Sequence, residues 1–452
     1  MKVNPEIYRE YDIRGVPGRD FDEPFAYDLG RAFARLVVEK GGKKVTAGQD
    51  CRLSSPSLSA ALIKGMLDSG LEVTNIGIVT TPQLYFSLFH LQADGGMQVS
   101  GSHNPPDQNG FKICVGKDTI WGEEIQRVRK IIEAKNFPTG KGAVKDYALE
   151  APYVDYILKN IKLAKPLKVV IDCGNGTAGP VAPKVLKGLG CEVTGLYLEM
   201  DGNFPNHHPD PTVLKNVQEL RDTVLKLKAD VGIGYDGDAD RIGLVDDQGN
   251  VIWGDIIMIL LSRALLKVEP GATIIGEVKC SHRLFDDIEK HGGKPLMWKA
   301  GHSLIKAKMK ETGSLLGGEM SGHIFYKHRW FGFDDAVYTS ARILEILSNT
   351  DRKLSELLAD VPPAYATPEL RIKSSDEKKF AIVEKVKKHF LDLGYQVIAI
   401  DGMRLSFKDG WGLVRASNTQ PMLVMRFEAD TEKRMEEIRK LVEEQVNKYN
   451  QL

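Results

Sequence analysis

Three aspartates at alternate positions, Asp236, Asp238 and Asp240, punctuate the run GIGYDGDADRIGLVDDQGN directly after the strand-like ADVGIG. In an extended or turning backbone that spacing lets their carboxylates converge on one point, and converging anions require a cation. All-oxygen donors suit Mg2+ or Ca2+ rather than zinc. An EF-hand loop counted from Asp236 would need glycine sixth and glutamate twelfth, but Arg241 and Asp247 stand there, which excludes a calcium loop of that type. Two aspartates would read as an acidic surface turn; a third, with Arg241 adjacent and glycines on either side, favours a metal. Magnesium takes few protein carboxylates and leaves room for a phosphate oxygen, so groups that handle phosphate are expected elsewhere.

In VSGSHNPPDQNG, residues 99–110, proline, glycine and asparagine crowd around Ser102 and His103. The composition is that of a shaped loop, which either turns the chain or holds one hydroxyl within reach of a reacting group. VRASNTQP sets Arg415, Ser417, Asn418 and Thr419 between strands, joining a guanidinium fork to hydroxyl and amide donors. GGEMSGH gathers Glu319, Ser321 and His323, groups suited to sugar hydroxyls. Either stretch alone reads as a polar turn; their joint presence is what argues for ligand recognition. A fourth stretch, CGNGTAG after VVID, spells G-x-G-x-x-G with Gly174, Gly176 and Gly179. It is either a dinucleotide fingerprint or a plain strand-to-helix turn.

The elements that must carry these loops follow a repeated grammar: a β-branched run, a loop of Gly, Asp or Ser, a helical stretch, a glycine stop and another apolar run. KKVTAGQDCRLSSPSLSAALIKGMLDSGLEVTNIGIV, LKVVIDCGNGTAGPVAPKVLKGLGCEVTGLYL and ATIIGEVKCSHRLFDDIEKHGGKPLMW all obey it, each the length of a strand-helix-strand unit. Beyond the proline-rich VPPAYATPEL the pattern alternates between Asp-Gly turns, as in antiparallel strands. A last helix begins after Asp430, with Met435, Ile438, Val442, Val446 and Tyr449 on one face. The fold class predicted is α/β, with three related mixed-sheet domains plus a smaller C-terminal α+β domain.

Bulk properties narrow the function. At 452 residues with a formal net charge of zero, the chain has room for several cores and lacks the basic footprint of a nucleic-acid binder. Five scattered cysteines without a C-x-x-C pair fit reduced thiols in a cytosol, and Cys173 and Cys280 read as small buried groups. The start MKVNPEIYREYDIRG lacks the apolar core of a signal peptide, and IIMILL is too short to cross a bilayer. A cytoplasmic protein with no membrane partner is expected, and a monomer, since no sustained heptad argues for association. His207 and His208 in FPNHHPDP read as a solvated loop rather than a metal site.

GSHNPPDQNGFK, DGDADR, GEMSGH and RASNTQP, in this order and spread over the whole chain, resemble the four signature loops of the α-D-phosphohexomutase superfamily. The bacterial phosphomannomutase/phosphoglucomutase branch is closest, because it carries Glu-Met-Ser-Gly-His where the phosphoglucosamine branch has glutamine at the position of Met320. The resemblance implies four domains around a central cleft: 1–148 with the phosphoserine loop, 149–250 with the metal loop, 251–361 with the sugar loop and 362–452 with the phosphate loop. It implies that Ser102 is a phosphoserine that ligates Mg2+ together with Asp236, Asp238 and Asp240. Arg14, Lys112 and Arg241 then lie near the transferring group beside His103, with Lys112 and His323 as candidate general acid/base groups. Arg415, Ser417, Asn418 and Thr419, aided by Lys279 and His302, would hold the distal phosphate; Glu319 and Ser321 would grip ring hydroxyls, and Tyr11 would line the cleft.

The implied reaction converts hexose 1-phosphates to 6-phosphates, of both mannose and glucose, through a 1,6-bisphosphate that turns round in the site. Hexose phosphates are then the small-molecule partners, and glucose 1,6-bisphosphate or an equivalent is the activator. A phosphoglucosamine mutase, a metal-dependent sugar phosphatase and a non-catalytic sugar-phosphate binder are the alternatives. In the family the CGNGTAG turn carries no nicotinamide.

Overall fold

The computed structural model describes residues 4–417 and 421–450. Four sheets follow one another along the chain. In the first, Lys44–Gln49 runs parallel to both Glu72–Ile78 and Gly95–Val99, while Asn109–Val115 returns antiparallel to Gly95–Val99. The second repeats the plan: Lys168–Asp172 is parallel to Val231–Tyr235, and Ile242–Val245 returns antiparallel. The third repeats it again, with Thr273–Glu277 parallel to Leu316–Gly318 and Ile324–Tyr326 returning. The fourth is antiparallel throughout its named pairings, with Gly410–Ala416 between Met403–Phe407 and Met422–Ala429. The fold class is therefore the one expected.

Each chemical loop is the connection of one antiparallel pair in these sheets. Residues 100–108 join Gly95–Val99 to Asn109–Val115, and 236–241 join Val231–Tyr235 to Ile242–Val245. Residues 319–323 join Leu316–Gly318 to Ile324–Tyr326, and 417–421 join Gly410–Ala416 to Met422–Ala429. In the three mixed sheets the loop leaves the carboxyl end of a strand that is hydrogen-bonded on both sides. Such a strand is buried on both faces, which is why VGIGY is wholly buried and reads as a continuous apolar run.

The first unit has a core of its own around Phe33, Leu62, Met97 and Phe111, and a second cluster joins it to the next two units. That second cluster runs from Leu84, Tyr85 and Phe86 through Ile171, Val185 and Ile233 to Met258, Leu284 and Leu344. The last unit has its own core, built from Val386, Phe390, Leu405, Met425, Ile438 and Val442. Only a small cluster, Val278 with Trp411 and Leu413, bridges it to the third unit. The final helix, Glu432–Asn450, buries Met435, Ile438, Val442 and Val446 as its periodicity predicts. His207 departs from expectation: its Nε2 lies 2.9 Å from Asp172 Oδ2, so it is a half-buried partner of that carboxylate rather than a solvated residue.

Candidate active site

Asp236, Asp238 and Asp240 are wholly buried, and one ligand oxygen from each lies within 4.8 Å of the other two. The alternating residues Gly237 and Ala239 make this possible, since a Cβ at Gly237 would fall 2.5 Å from the Ser102 carbonyl and Ala239 adopts a positive φ of 59°. The first and third units and the loop's own unit all hold it. Thr81 N and Thr177 N donate to the carbonyls of Asp238 and Gly237 at 3.0 Å, and Ile242 N donates to Gly322 O at 3.0 Å. Thr81 begins the helix Thr81–His90, whose Thr80 and Gln83 form a reciprocal cap, so the positive end of that helix meets the acidic loop.

Charge within the cluster is unbalanced. Asp238 Oδ2 accepts from Thr81 Oγ1 at 2.6 Å, Ser100 Oγ at 2.8 Å and Lys112 Nζ at 2.9 Å, and Lys112 also donates to Asp240 Oδ2. Burial opposes ionisation of Asp238, yet Lys112 and these hydroxyls hold its carboxyl below the ordinary range. Burial, then Asp240 and Asp238, push the Asp236 carboxyl well above it. Burial works against the Lys112 ammonium too, but Asp238 and Asp240 keep it above its usual value. Asp238 Oδ1 and Asp240 Oδ1 are buried without a hydrogen-bond partner. Two orphaned hard oxygens in an all-carboxylate set, with one ammonium for three acids, fit a divalent cation such as Mg2+.

Ser102 stands against this cluster. Its Oγ donates to Asp236 Oδ2 at 2.8 Å and lies 3.0 Å from His103 Nδ1. Burial, then Arg241 and Arg14, lower the His103 pKa far below its ordinary value; with the one Ser102 proton given to Asp236, Nδ1 is placed to donate to the Ser102 oxygen. Arg14, held by Asp12 at 2.6 Å, donates to Asn104 Oδ1 at 3.1 Å and so reaches the same loop.

From the third unit, His323 Nε2 accepts from Arg241 Nε at 2.9 Å. The ring proton therefore sits on Nδ1, which is 3.0 Å from Asp334 Oδ2 and 3.6 Å from Asp240 Oδ1. The grouping Asp240, His323 and Asp334 is thus built round a ring N–H, with Lys306 Nζ on the other Asp334 oxygen at 3.0 Å. Glu319 Oε1 accepts from Gly301 N at 2.7 Å, and Ser321 is half-buried on the same loop. His302, lowered well below its usual pKa by burial and then Lys306, lies between Tyr11 and His323, with ring centroids 5.9 and 5.7 Å away. Tyr11 OH donates to Ala300 O at 2.7 Å.

Lys279 and Arg415 meet across the third and fourth units. Lys279 Nζ lies 3.6 Å from Glu277 and 3.5 Å from Glu369, while Arg415 Nε donates to Asp401 Oδ2 at 3.0 Å. Burial, against the pull of Lys279, pushes Glu277 up to about 7. Ser417 is buried, and its carbonyl accepts from Lys379 Nζ at 2.7 Å. Asn418 and Thr419 lie outside the described residues.

Sequence reasoning missed Thr81, Asp334 and Glu277. The Thr-Thr-Pro-Gln run from Thr80 to Gln83 was a legible helix start; nothing local marked Asp334 or Glu277. Cys173 and Cys280 are buried, and burial raises both thiols well above their usual pKa.

Four family models match in order: phosphoglucomutase/phosphomannomutase alpha/beta/alpha domain I at residues 5–139, domain II at 151–249, domain III at 253–365 and the C-terminal domain at 369–445. A phosphomannomutase/phosphoglucomutase of Pseudomonas aeruginosa is 46% identical over 440 residues, 97% of this chain and 95% of that protein. A phosphoglucomutase of Neisseria gonorrhoeae is 45% identical over 440 residues, 96% of this chain and 95% of that protein. A crystal structure of a phosphoglucomutase/phosphomannomutase family protein from Burkholderia thailandensis superposes with a TM-score of 0.94 at 42% identity, covering 99% of this chain and 98% of that one. The chain therefore belongs to the phosphoglucomutase/phosphomannomutase family, and is an enzyme that interconverts hexose phosphates.

Proposed function

We propose that interconversion runs through Ser102 as the phosphoryl carrier, with Asp236, Asp238, Asp240 and the phosphorylated Ser102 as Mg2+ ligands. The observation that supports this is the buried Ser102 hydroxyl, set 2.8 Å from Asp236 and 3.0 Å from His103 Nδ1, because a phosphoserine brings close to two further negative charges that three carboxylates tolerate only beside a divalent ion. When bound, that ion supplies charge neutralisation at the transferring oxygens. The chain's own residues do the rest: Arg241 and Arg14 stabilise a loose, charge-spread transition state, and His103 steadies the Ser102 oxygen. Lys112, held charged, delivers a proton, and His323 orients Arg241 while remaining the second candidate proton carrier.

In the cycle, phosphoserine gives its phosphoryl group to the free hydroxyl of a hexose phosphate, the hydroxyl proton leaving to the enzyme. The 1,6-bisphosphate turns round and its other phosphate returns to Ser102. Reversal works because both ends are dianions, so one donor set serves either: Lys279, His302, Arg415, Ser417, Asn418 and Thr419. Glu319 and Ser321 read the third and fourth hydroxyls and Tyr11 lines the cleft; mannose and glucose, which differ only at the second carbon, both fit. Residues 1–148, 149–250, 251–361 and 362–452 thereby contribute carrier, metal ligands, sugar ligands and phosphate ligands. Glucose 1,6-bisphosphate or its equivalent primes the enzyme, which works as a cytoplasmic monomer. Among the described residues no helix is long and apolar enough to cross a membrane.

A coupled assay with Ser102→Ala tests this. Loss of both mannose and glucose phosphate interconversion is expected; substantial retained turnover, or stoichiometric release of inorganic phosphate by the parent enzyme, would overturn it.

A further inference from the structure

The loop that presents Ser102 has no regular structure of its own, and Ser102 itself sits at a positive φ of 49°, a conformation L-residues persist in only when their surroundings impose it. Ser100 Oγ accepts from Ser102 N at 2.9 Å, and one side chain from the neighbouring strand-to-helix connection holds the loop's carbonyls. Arg52 has a fully buried side chain, and its guanidinium donates to four backbone carbonyls of the loop. Nη2 reaches Ser102 O at 2.7 Å and Asn104 O at 2.6 Å; Nη1 reaches Pro105 O at 2.6 Å and Gln108 O at 3.0 Å. The fifth N–H position, Nε, lies 3.2 Å from Asp50 Oδ2.

Asp50 is the second half of the device. Its Oδ2, in ion-pair contact with Arg52 Nε, accepts from Gly101 N at 3.0 Å, and its Oδ1 accepts from Arg52 N at 3.0 Å and from Ser55 Oγ at 2.5 Å. The fit is close enough that a Cβ at Gly101 would fall 2.4 Å from Arg52 Nε. From the second unit, Phe204 stacks on the guanidinium at 5.0 Å. Four carbonyls turned toward one point form a cation cradle, and only a planar fork of donors satisfies them together; a lysine, with one compact ammonium, cannot.

We propose that Arg52, oriented by Asp50, is the positioning residue that fixes the Ser102 hydroxyl for phosphoryl transfer. It acts through the loop backbone and makes no contact with substrate, so it governs the rate of transfer rather than the affinity for sugar phosphate. This rests on the assignment of Ser102 as carrier. A displacement of an ångström at a reacting group costs on the order of 100-fold in rate, which sets the scale of the effect.

The test compares parent enzyme, R52K, R52A and D50N, each with Mg2+ and glucose 1,6-bisphosphate, reading the phosphate on Ser102, kcat, KM for glucose 1-phosphate and the thermal midpoint. R52K is expected to lose about 100-fold in kcat with KM within about threefold of the parent. R52A is expected to regain part of its rate when free guanidinium ion occupies the cradle. D50N keeps the guanidinium but loosens its alignment, and a loss of about 10-fold in kcat is expected; it carries the test if the Arg52 variants do not fold. A folded R52K with parental kcat, or variants whose loss lies wholly in KM, overturn the clamp. If instead the parent turns over without ever carrying phosphate on Ser102, the carrier assignment fails, and that outcome is read before any variant is made.

Discussion

At the scale of the residue, the acidic cluster shows how burial converts charge into a requirement. Three wholly buried carboxylates crowd one another's charge; accordingly Asp236 is driven toward its protonated form by burial and by Asp240 and Asp238. Metal and proton compete for the same oxygens, so Mg2+ affinity is expected to rise with pH and binding to release a proton. Calorimetric titration in two buffers of different ionisation enthalpy measures that proton directly. Asp238→Asn, which removes the charge Lys112 pairs with, is expected to weaken Mg2+ binding by at least about 10-fold. Unchanged affinity with no proton released would contradict the assignment. DGDADR was legible because its three carboxylates are close in sequence. Arg52 and Thr81 were not, because their partners lie 50 and 157 positions away and no local pattern encodes such a distance.

At the scale of the element, the chemistry sits on hairpin connections and on helix starts. Alternation and Asp-Gly turns made the C-terminal strands readable, and glycine stops exposed the strand-helix-strand units. What the pattern could not reveal was that all four chemical loops occupy equivalent connections, since strand pairing is decided by tertiary packing. The helix Ala336–Ser348 offers a test of how such elements are tuned. Asp335 caps it, accepting from Tyr338 N at 2.9 Å, and takes the Tyr153 hydroxyl at 2.9 Å on each oxygen; burial pushes its carboxyl up to about 7.

Because the folded Asp335 holds a proton that the unfolded residue has released, its contribution to stability is complete below about pH 4. It is lost as pH rises through about 7. The thermal midpoint is expected to fall between about pH 5 and about pH 8, and D335N, which caps as well but does not titrate, should flatten part of that fall. Differential scanning calorimetry across the range decides it: a parallel slope in the variant would contradict the shift.

At the scale of the whole molecule, one apolar cluster joins the first three units and the fourth has a core of its own. The seam between the third and fourth units has polar contacts aimed at the backbone of Val278, Lys279 and Cys280. Arg404 donates to Val278 O at 2.5 Å and Cys280 O at 2.8 Å, lying 3.8 Å over the Trp411 ring, while Arg426 donates to Lys279 O. Docking of the last unit and placement of Lys279 are therefore one event. Arg404→Met, which keeps the stem but removes the donors, is expected to raise KM for glucose 1-phosphate about 10-fold with a smaller change in kcat; steady-state kinetics check it, and an unchanged KM would show that Lys279 is placed without the seam. The resemblance carried by four short loops was enough to indicate family and fold, whereas this seam, made of buried arginines on carbonyls, left no mark in the sequence.

The central claim is that Ser102 carries the phosphoryl group, and intact-protein mass spectrometry with peptide mapping tests it most directly. After incubation with glucose 1,6-bisphosphate and Mg2+, one phosphoryl mass is expected on the peptide containing Ser102, lost again on addition of excess glucose 1-phosphate and absent in Ser102→Ala. An active enzyme that never gains that mass, or gains it on another residue, would contradict the account.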